Sequence, residues 1–444
     1  MSDSTTLKTR REFLRTTLLG GALTWTVPTF LANTFTALHA AAADRATQIV
    51  TGKDAPILVV LQLAGGNDGL NTVIPFANDH YHKARPSLGL KGDRVLKLND
   101  TIGLHPALVG FKALYDAGQL GIVQGVGYPN PNRSHFRSTD IWMTASDADR
   151  FENRGWIGRY FDANCDGCDP TVGVAVGRQM PLAFAGKQPK GVALDNPANY
   201  RFKGGAPASA GEMDTTDESF KKLNFVMEDD GSANSGGSIG AIAGQMMEAG
   251  APLEFIERTA LDAQVSSDQI RALASKVRNT ANYPSSQLGS SLGLVARLIG
   301  GGLATRVFYV SQGGYDTHTN QGGTHERLLK DLADSVKAFT DDLKSQGNHE
   351  RVLVMTFSEF GRRVAQNGSQ GTDHGAASAM FLIGGKARSG LLGEYPSLAP
   401  QDLHQGDLKF KVDFRTVYAG VLEQWLRTPS EPVLGRRFTP LNVV

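Results

Sequence analysis

The sequence predicts an α/β fold, a three-layer sandwich built on a mostly parallel sheet, and two observations predict it. Runs of strand length recur along the chain: "APILVVLQL", "QLGIVQGVG", "TVGVAVG", "TRVFYVSQ", "RVLVMTFS" and "SAMFLIGG". They are apolar throughout instead of alternating, which suits strands covered on both faces. Between them lie stretches with apolar residues at three-and-four spacing, such as "LHPALVGFKALYDAG" and "HERLLKDLADSVKAFTDDLKSQG", each closed by Gly, the signature of amphipathic helices. Strands and helices in alternation imply a sheet between helical layers. With 444 residues, 41% of them hydrophobic, the chain is long enough for a sizeable core. The formal net charge is +1, from 45 basic and 44 acidic side chains, so no strong field marks it as a nucleic-acid binder.

Residues 1–43 form a separate unit. "TRREFLR", Thr9 to Arg15, precedes the apolar stretch "TTLLGGALTWTVPTFLA" and the small-residue tail "ALHAAAAD", the layout of a twin-arginine signal peptide. An amphipathic helix or a membrane span would be the alternative, but Pro28 interrupts the run and about 17 residues barely cross a bilayer. The expectation is export of a folded chain by the twin-arginine machinery into the periplasm or beyond. No later segment has 18 consecutive apolar residues, so no membrane span is expected in the mature chain. The rest, 44–444, reads as one α/β domain carrying an insertion or cap around 201–298, where "EDDGSANSGGS" (228–238) has linker composition.

The two cysteines, Cys165 and Cys168 in "DANCDGCDP", are expected to pair in an oxidising compartment, since no second ligand pair for a zinc knuckle is nearby. Asp162, Asn164, Asp166 and Gly167 begin like a calcium loop, but Gly173 stands where the closing Glu should be.

Ligands of open parallel sheets bind beyond the carboxyl ends of the strands, and that rule sorts the polar residues. "APILVVLQL" runs into "AGGNDGLNT", placing Asp68, Asn71 and Thr72 past a strand end. Asp316 and His318 follow "TRVFYVSQ", while Ser358, Glu359 and Arg362 follow "RVLVMTF". Asp373 and His374 stand just before "SAMFLIGG". Each cluster alone is ordinary turn chemistry, and Arg362 with Glu359 is equally readable as an ion pair at a loop mouth. Carboxylates and imidazoles gathered at one edge, however, need a cation to neutralise them. Mixed oxygen and nitrogen donors fit zinc or manganese, or with fewer His magnesium or calcium. In "GYPNPNRSHFRSTDIWMTAS", Ser134 is placed to start a helix, as a cap or as a hydroxyl where backbone N–H groups favour an anionic oxygen.

With "GGNDGLNT", "NRSHF", "RVFYVSQGGYDTH", "VLVMTFSEFGRRVAQNGSQGTDHG" and "DFRTVYAGVLEQWL" in place, the chain resembles the exported family called domain of unknown function 1501. That family looks like a branch of the alkaline phosphatase and sulfatase superfamily. The resemblance implies a metal-dependent site at the carboxyl edge of the sheet. Asp68 would be the first ligand, Asp316 and His318 the late pair, and His374 the last His. Glu359 stands where the superfamily has Asp, with Phe360 in place of its His. Ser134 would be the nucleophile, Arg362 or Arg137 the clamp on an anionic group, and Asp373 a partner orienting His374. The implied activity is hydrolysis of small phosphate or sulfate esters outside the cytoplasm. The rival expectation is a non-catalytic binding or assembly protein that keeps the fold, with or without a structural cation.

Overall fold

The computed structural model describes residues 55–165, 168–187, 190–195, 266 and 268–444. The expected signal peptide, the 228–238 segment and most of the expected insertion lie outside these, as do Asp166 and Gly167. Among the described residues no helix is long and apolar enough to cross a membrane. Cys165 and Cys168 are joined, their Cα atoms 5.2 Å apart.

The strands are β1 (Ile57–Leu63), β2 (Val73–Ile74), β3 (Leu96–Lys97), β4 (Gly103–Leu104), β5 (Leu120–Gly127), β6 (Gly173–Val176), β7 (Val192–Leu194), β8 (Val307–Gln312), β9 (Val352–Phe357), β10 (Ser378–Ile383), β11 (Gly390–Leu392) and β12 (Val412–Asp413). Strands β2, β4 and β3 make a small antiparallel sheet. The main sheet has the order β11-β5-β10-β9-β1-β8-β6-β7, with β12 also beside β5. β1 is parallel to both β8 and β9, with Leu58 opposite Val307 and Ile57 opposite Val352. β10 alone runs against its neighbours β5 and β9.

The six apolar runs all become strands of this sheet, and their composition explains it. Every residue of β1 is buried, because successive side chains point to opposite faces and both faces are covered. Ile57, Val59, Leu61 and Leu63 meet one helical layer, Leu58 and Val60 the other. Helices α1 (Gly69–Thr72) and α2 (Asp79–Ala84) are short connections; α3 (Val109–Asp116), α4 (His135–Thr144), α5 (Trp156–Asn164), α6 (Gln287–Gly300), α7 (Gln321–Ser345) and α8 (Phe414–Gly420) build the layers, and α9 (Ser430–Leu434) follows near the C-terminus. Phe111 of α3, Leu292 of α6 and Leu329, Val336 and Phe339 of α7 pack on the first face. Trp142 of α4, Trp156 and Tyr160 of α5 and Tyr418 of α8 pack on the second. Side chains of this size contribute about 1.5–3 kcal/mol each when fully buried, so both layers hold the sheet rigid beneath its loops.

Candidate metal centre

Strands β1, β8 and β9 end on one edge, and β5 ends there too, since both β5 and β9 oppose β10. For the same reason β10 begins there, so the loop before it joins the loops that follow the others. The turn after β1 makes the closest approach. Gly65 has φ +116° and Gly66 φ +80°. A Cβ on Gly65 would lie 2.5 Å from the Asp316 nitrogen, and one on Gly66 2.3 Å from the Phe360 ring. Only glycine fits both the left-handed backbone and the space.

Four side chains converge above this turn. His374 Nε2 lies 2.9 Å from His318 Nε2 and 3.1 Å from Asp316 Oδ1. His318 Nε2 is also 2.9 Å from Asp316 Oδ1. His135, the first residue of α4, brings its Nε2 to 3.4 Å from Asp316 Oδ2. Donor atoms of His135, Asp316 and His374 all lie within 4.8 Å of one another.

The other ring nitrogens decide which way the lone pairs face. His374 Nδ1 lies 2.8 Å from the Arg133 carbonyl oxygen, which only accepts, so Nδ1 carries the proton. His318 Nδ1 lies 3.3 Å from Asp373 Oδ1, and His135 Nδ1 3.0 Å from Glu359 Oε1. Imidazoles anchored through Nδ1–H to a carbonyl or a carboxylate present Nε2 as a bare acceptor, the arrangement that orients metal-binding histidines. Three such acceptors therefore face one carboxylate. Without a cation these lone pairs repel, and the donor set of three nitrogens and an oxygen suits zinc or manganese.

Asp316 is held as an anion. Partial burial pushes its pKa up, but the hydrogen bond from Arg362 and the Arg362 charge bring it down to about 2. Its side chain is still 46% exposed, so the cluster opens to solvent. Asp373 is likewise lowered, chiefly by the Asn367 amide and then by His318.

The structure brings Asp316, His318 and His374 together and redistributes the other expected roles. Asp68 is not in the cluster: it is fully buried against Arg85, Nη1 to Oδ2 2.5 Å, and also accepts from the Gln321 amide and the Asn71 backbone. Burial raises its pKa and Arg85 lowers it, with a net fall; its carboxylate oxygens are taken up by Arg85, Gln321 and the Asn71 N–H. Glu359 stands behind His135, accepting from the Gly65 N–H at 2.7 Å as well, while its Oε2 is buried without a partner among the described residues. Asp373 orients His318, whereas the Arg133 carbonyl orients His374.

Neither expected clamp is free. Arg362 is completely buried and donates to the carbonyls of Gly65, Gly66, Tyr315 and Thr372 and, at 2.7 Å, to Asp316 Oδ1. It ties three loops together and fixes Asp316. Arg137 points the other way, donating to the carbonyls of Asp147, Ala148 and Arg150 and stacking on Phe151. Ser134 is exposed at the N-cap of α4 and its hydroxyl makes no capping bond. The residue not foreseen as a donor is His135. Its helix is docked by Ser138 and Trp142, both donating to the Glu359 carbonyl.

Behind the turn, Asn67 Oδ1 accepts from His325 Nε2 of α7 at 3.0 Å. His105 packs edge-on against His325, ring centroids 6.0 Å apart. Burial pushes the pKa of each from 6.5 to about 4. Between these values the unfolded chain takes up protons that the folded chain refuses, so stability is complete above about 6.5 and is lost as pH falls towards 4. Each histidine adds up to about 1.4 kcal/mol per pH unit to that slope. Urea midpoints measured from pH 7 to 4 should fall less steeply for His325→Gln than for the wild type; identical slopes would refute the assignment.

Solved structures similar to this chain include a protein in the alkaline phosphatase superfamily from Vibrio parahaemolyticus (10% identity, 96% of this chain and 77% of that one, TM-score 0.36). The lipoteichoic acid synthase LtaP from Listeria monocytogenes is similar at 8% identity, over 82% and 76%, TM-score 0.32. The C-terminal periplasmic domain of EcEptC from Escherichia coli, in complex with Zn, is similar at 11% identity, over 74% of each chain, TM-score 0.30. No curated protein matches the chain in sequence. The family model described as "Protein of unknown function (DUF1501)" matches residues 55–435, and the chain belongs to that family.

Proposed function

We propose that the protein is an exported metal-dependent hydrolase of small phosphate or sulfate esters, with His135, His318, His374 and Asp316 holding the cation. The observation that carries this reading is the anchoring of all three Nδ1 atoms, which turns three Nε2 lone pairs toward one ionised carboxylate. A divalent cation held there would polarise an ester oxygen and lower the pKa of an attacking hydroxyl or water. Arg362 keeps Asp316 charged and stationary. Glu359, Asp373 and the Arg133 carbonyl fix the imidazoles. Ser134, one residue before His135 at the start of a ten-residue helix, is the candidate nucleophile, where backbone N–H groups favour an anionic oxygen. The leader 1–43 would bring a single domain, 44–444, through the twin-arginine route to the periplasm or beyond.

One observation favours a non-catalytic binding or assembly protein, with or without a structural cation. Arg362 and Arg137 are both engaged by main-chain carbonyls, which leaves neither to steady an ester anion. Metal analysis of protein purified without chelators, followed by a panel of aryl phosphates and aryl sulfates, separates the two. The hydrolase reading expects zinc or manganese near stoichiometry and turnover of one ester class. Metal without turnover gives the second reading, and absence of metal refutes the hydrolase reading.

A further inference from the structure

A second polar site lies at the other end of α4. An open cavity of about 410 Å³ is bounded by the loop after α4, by α5 and by the C-terminal segment around α9. That volume falls within the range of small-molecule sites, about 300–1,000 Å³. Arg150, Arg154, Arg159, Lys187, Arg415 and Arg436 line it, against three carboxylates, Asp147, Glu152 and Asp162. The excess of cations contrasts with the balance of the whole chain, +1. Two of the carboxylates are already engaged. Asp147 accepts from Arg415 at 2.5 Å and from Arg436 at 2.8 Å, and Asp162 accepts from the Lys187 backbone at 2.7 Å.

Two buried groups mark the cavity as more than a charged surface. The Arg159 guanidinium donates, among the described residues, to the carbonyls of Thr144, Arg154 and Val433. Burial lowers its pKa, so its charge is desolvated at the wall of the cavity. Ser146, also in the wall, is 7% exposed, and its hydroxyl has no hydrogen-bond partner among the described residues. A buried hydroxyl left without a partner costs about 1–3 kcal/mol, which a bound oxyanion would offset by accepting its proton once the Ser146 side chain turns toward the cavity.

We propose that this cavity binds a tetrahedral oxyanion, a phosphate or sulfate group, with Ser146 donating to it and Arg154, Arg436 and Lys187 supplying the charge. The site is separate from the metal centre. Ten residues of α4 at about 1.5 Å each span about 15 Å between His135 at one and Thr144 at the other. The hydrolase reading and this site therefore fail independently.

The test is calorimetric titration of full-length protein at low ionic strength with inorganic phosphate, inorganic sulfate and a polyphosphate, repeated in His374→Ala to remove the cluster's contribution. Saturable binding is expected in both proteins. Arg154→Gln/Arg436→Gln should weaken it at least tenfold with an unchanged Tm. Ser146→Ala should weaken it several-fold while leaving the free protein as stable or slightly more so, which a merely structural hydroxyl would not do. Tighter binding of polyphosphate than of the free ions would assign the group to a larger molecule; equal binding would assign it to the free ion. No saturable binding of any of the three, binding abolished by His374→Ala, or unchanged affinity in the arginine variant would overturn the proposal.

Discussion

Asp316→Asn is expected to yield a folded protein that no longer retains a divalent cation. The substituted side chain still offers Oδ1 to Arg362, which donates to it at 2.7 Å, so the clasp between loops persists. The side chain is 46% exposed, but the Arg362 it answers is fully buried, so loss of the negative charge lowers stability through that guanidinium while the retained amide hydrogen bond limits the loss. The removed charge is also the one anion that the Nε2 atoms of His135, His318 and His374 all approach. Loss of groups that only orient a ligand already weakens metal binding about 10–100-fold, so loss of the ligand's charge should exceed about 100-fold. Metal content after dialysis should fall to background, and added zinc should raise the Tm of the wild type but not of the variant. Full retention of metal by Asp316→Asn would place the cation elsewhere.

Much of this architecture was legible because apolar continuity and strand length are local properties. β1, β5, β6, β8, β9 and β10 all fall on runs visible in the chain, and the strand-end rule collected Asp316, His318 and His374 at one edge. The direction of β10 was not visible, although it puts His374 at that edge by reversing against β5 and β9. Partners distant in sequence were not visible either. Asp68 and Glu359 carry the same charge as Asp316 and stand at equivalent strand ends, yet Arg85 takes the first and His135 the second. Nothing local tells which distant side chain a carboxylate at a strand end will meet. His135 was within reach of the same rule, since it follows the end of β5 by a short loop; the helix-start serine beside it drew the nucleophile reading and left the imidazole unassigned.

The pairing of Asp68 with Arg85 leads to the largest stability effect. Both side chains are fully buried. Arg85 also donates to Asn71 Oδ1 and to the carbonyls of Arg363 and Val364, tying the turn after β1 to the chain beyond β9. Removing one partner strands the other as an uncompensated charge, at about 3–5 kcal/mol. Asp68→Ala should therefore lower the unfolding free energy by that amount in urea, and Arg85→Met by a similar amount. The double replacement Asp68→Leu/Arg85→Met should recover part of the loss, because two apolar side chains leave no charge behind, although the carbonyls once bound by Arg85 stay unsatisfied. Under conditions where Asp68→Ala remains folded, its metal content should equal that of the wild type, the reverse of Asp316→Asn. A loss below about 1 kcal/mol would deny the pair its structural role, and a folded Asp68→Ala without metal would return Asp68 to the coordination sphere. Both acidic residues answer a buried guanidinium, Arg85 for Asp68 and Arg362 for Asp316, so the two substitutions test whether the three imidazoles that face Asp316 alone make it the ligand of a cation.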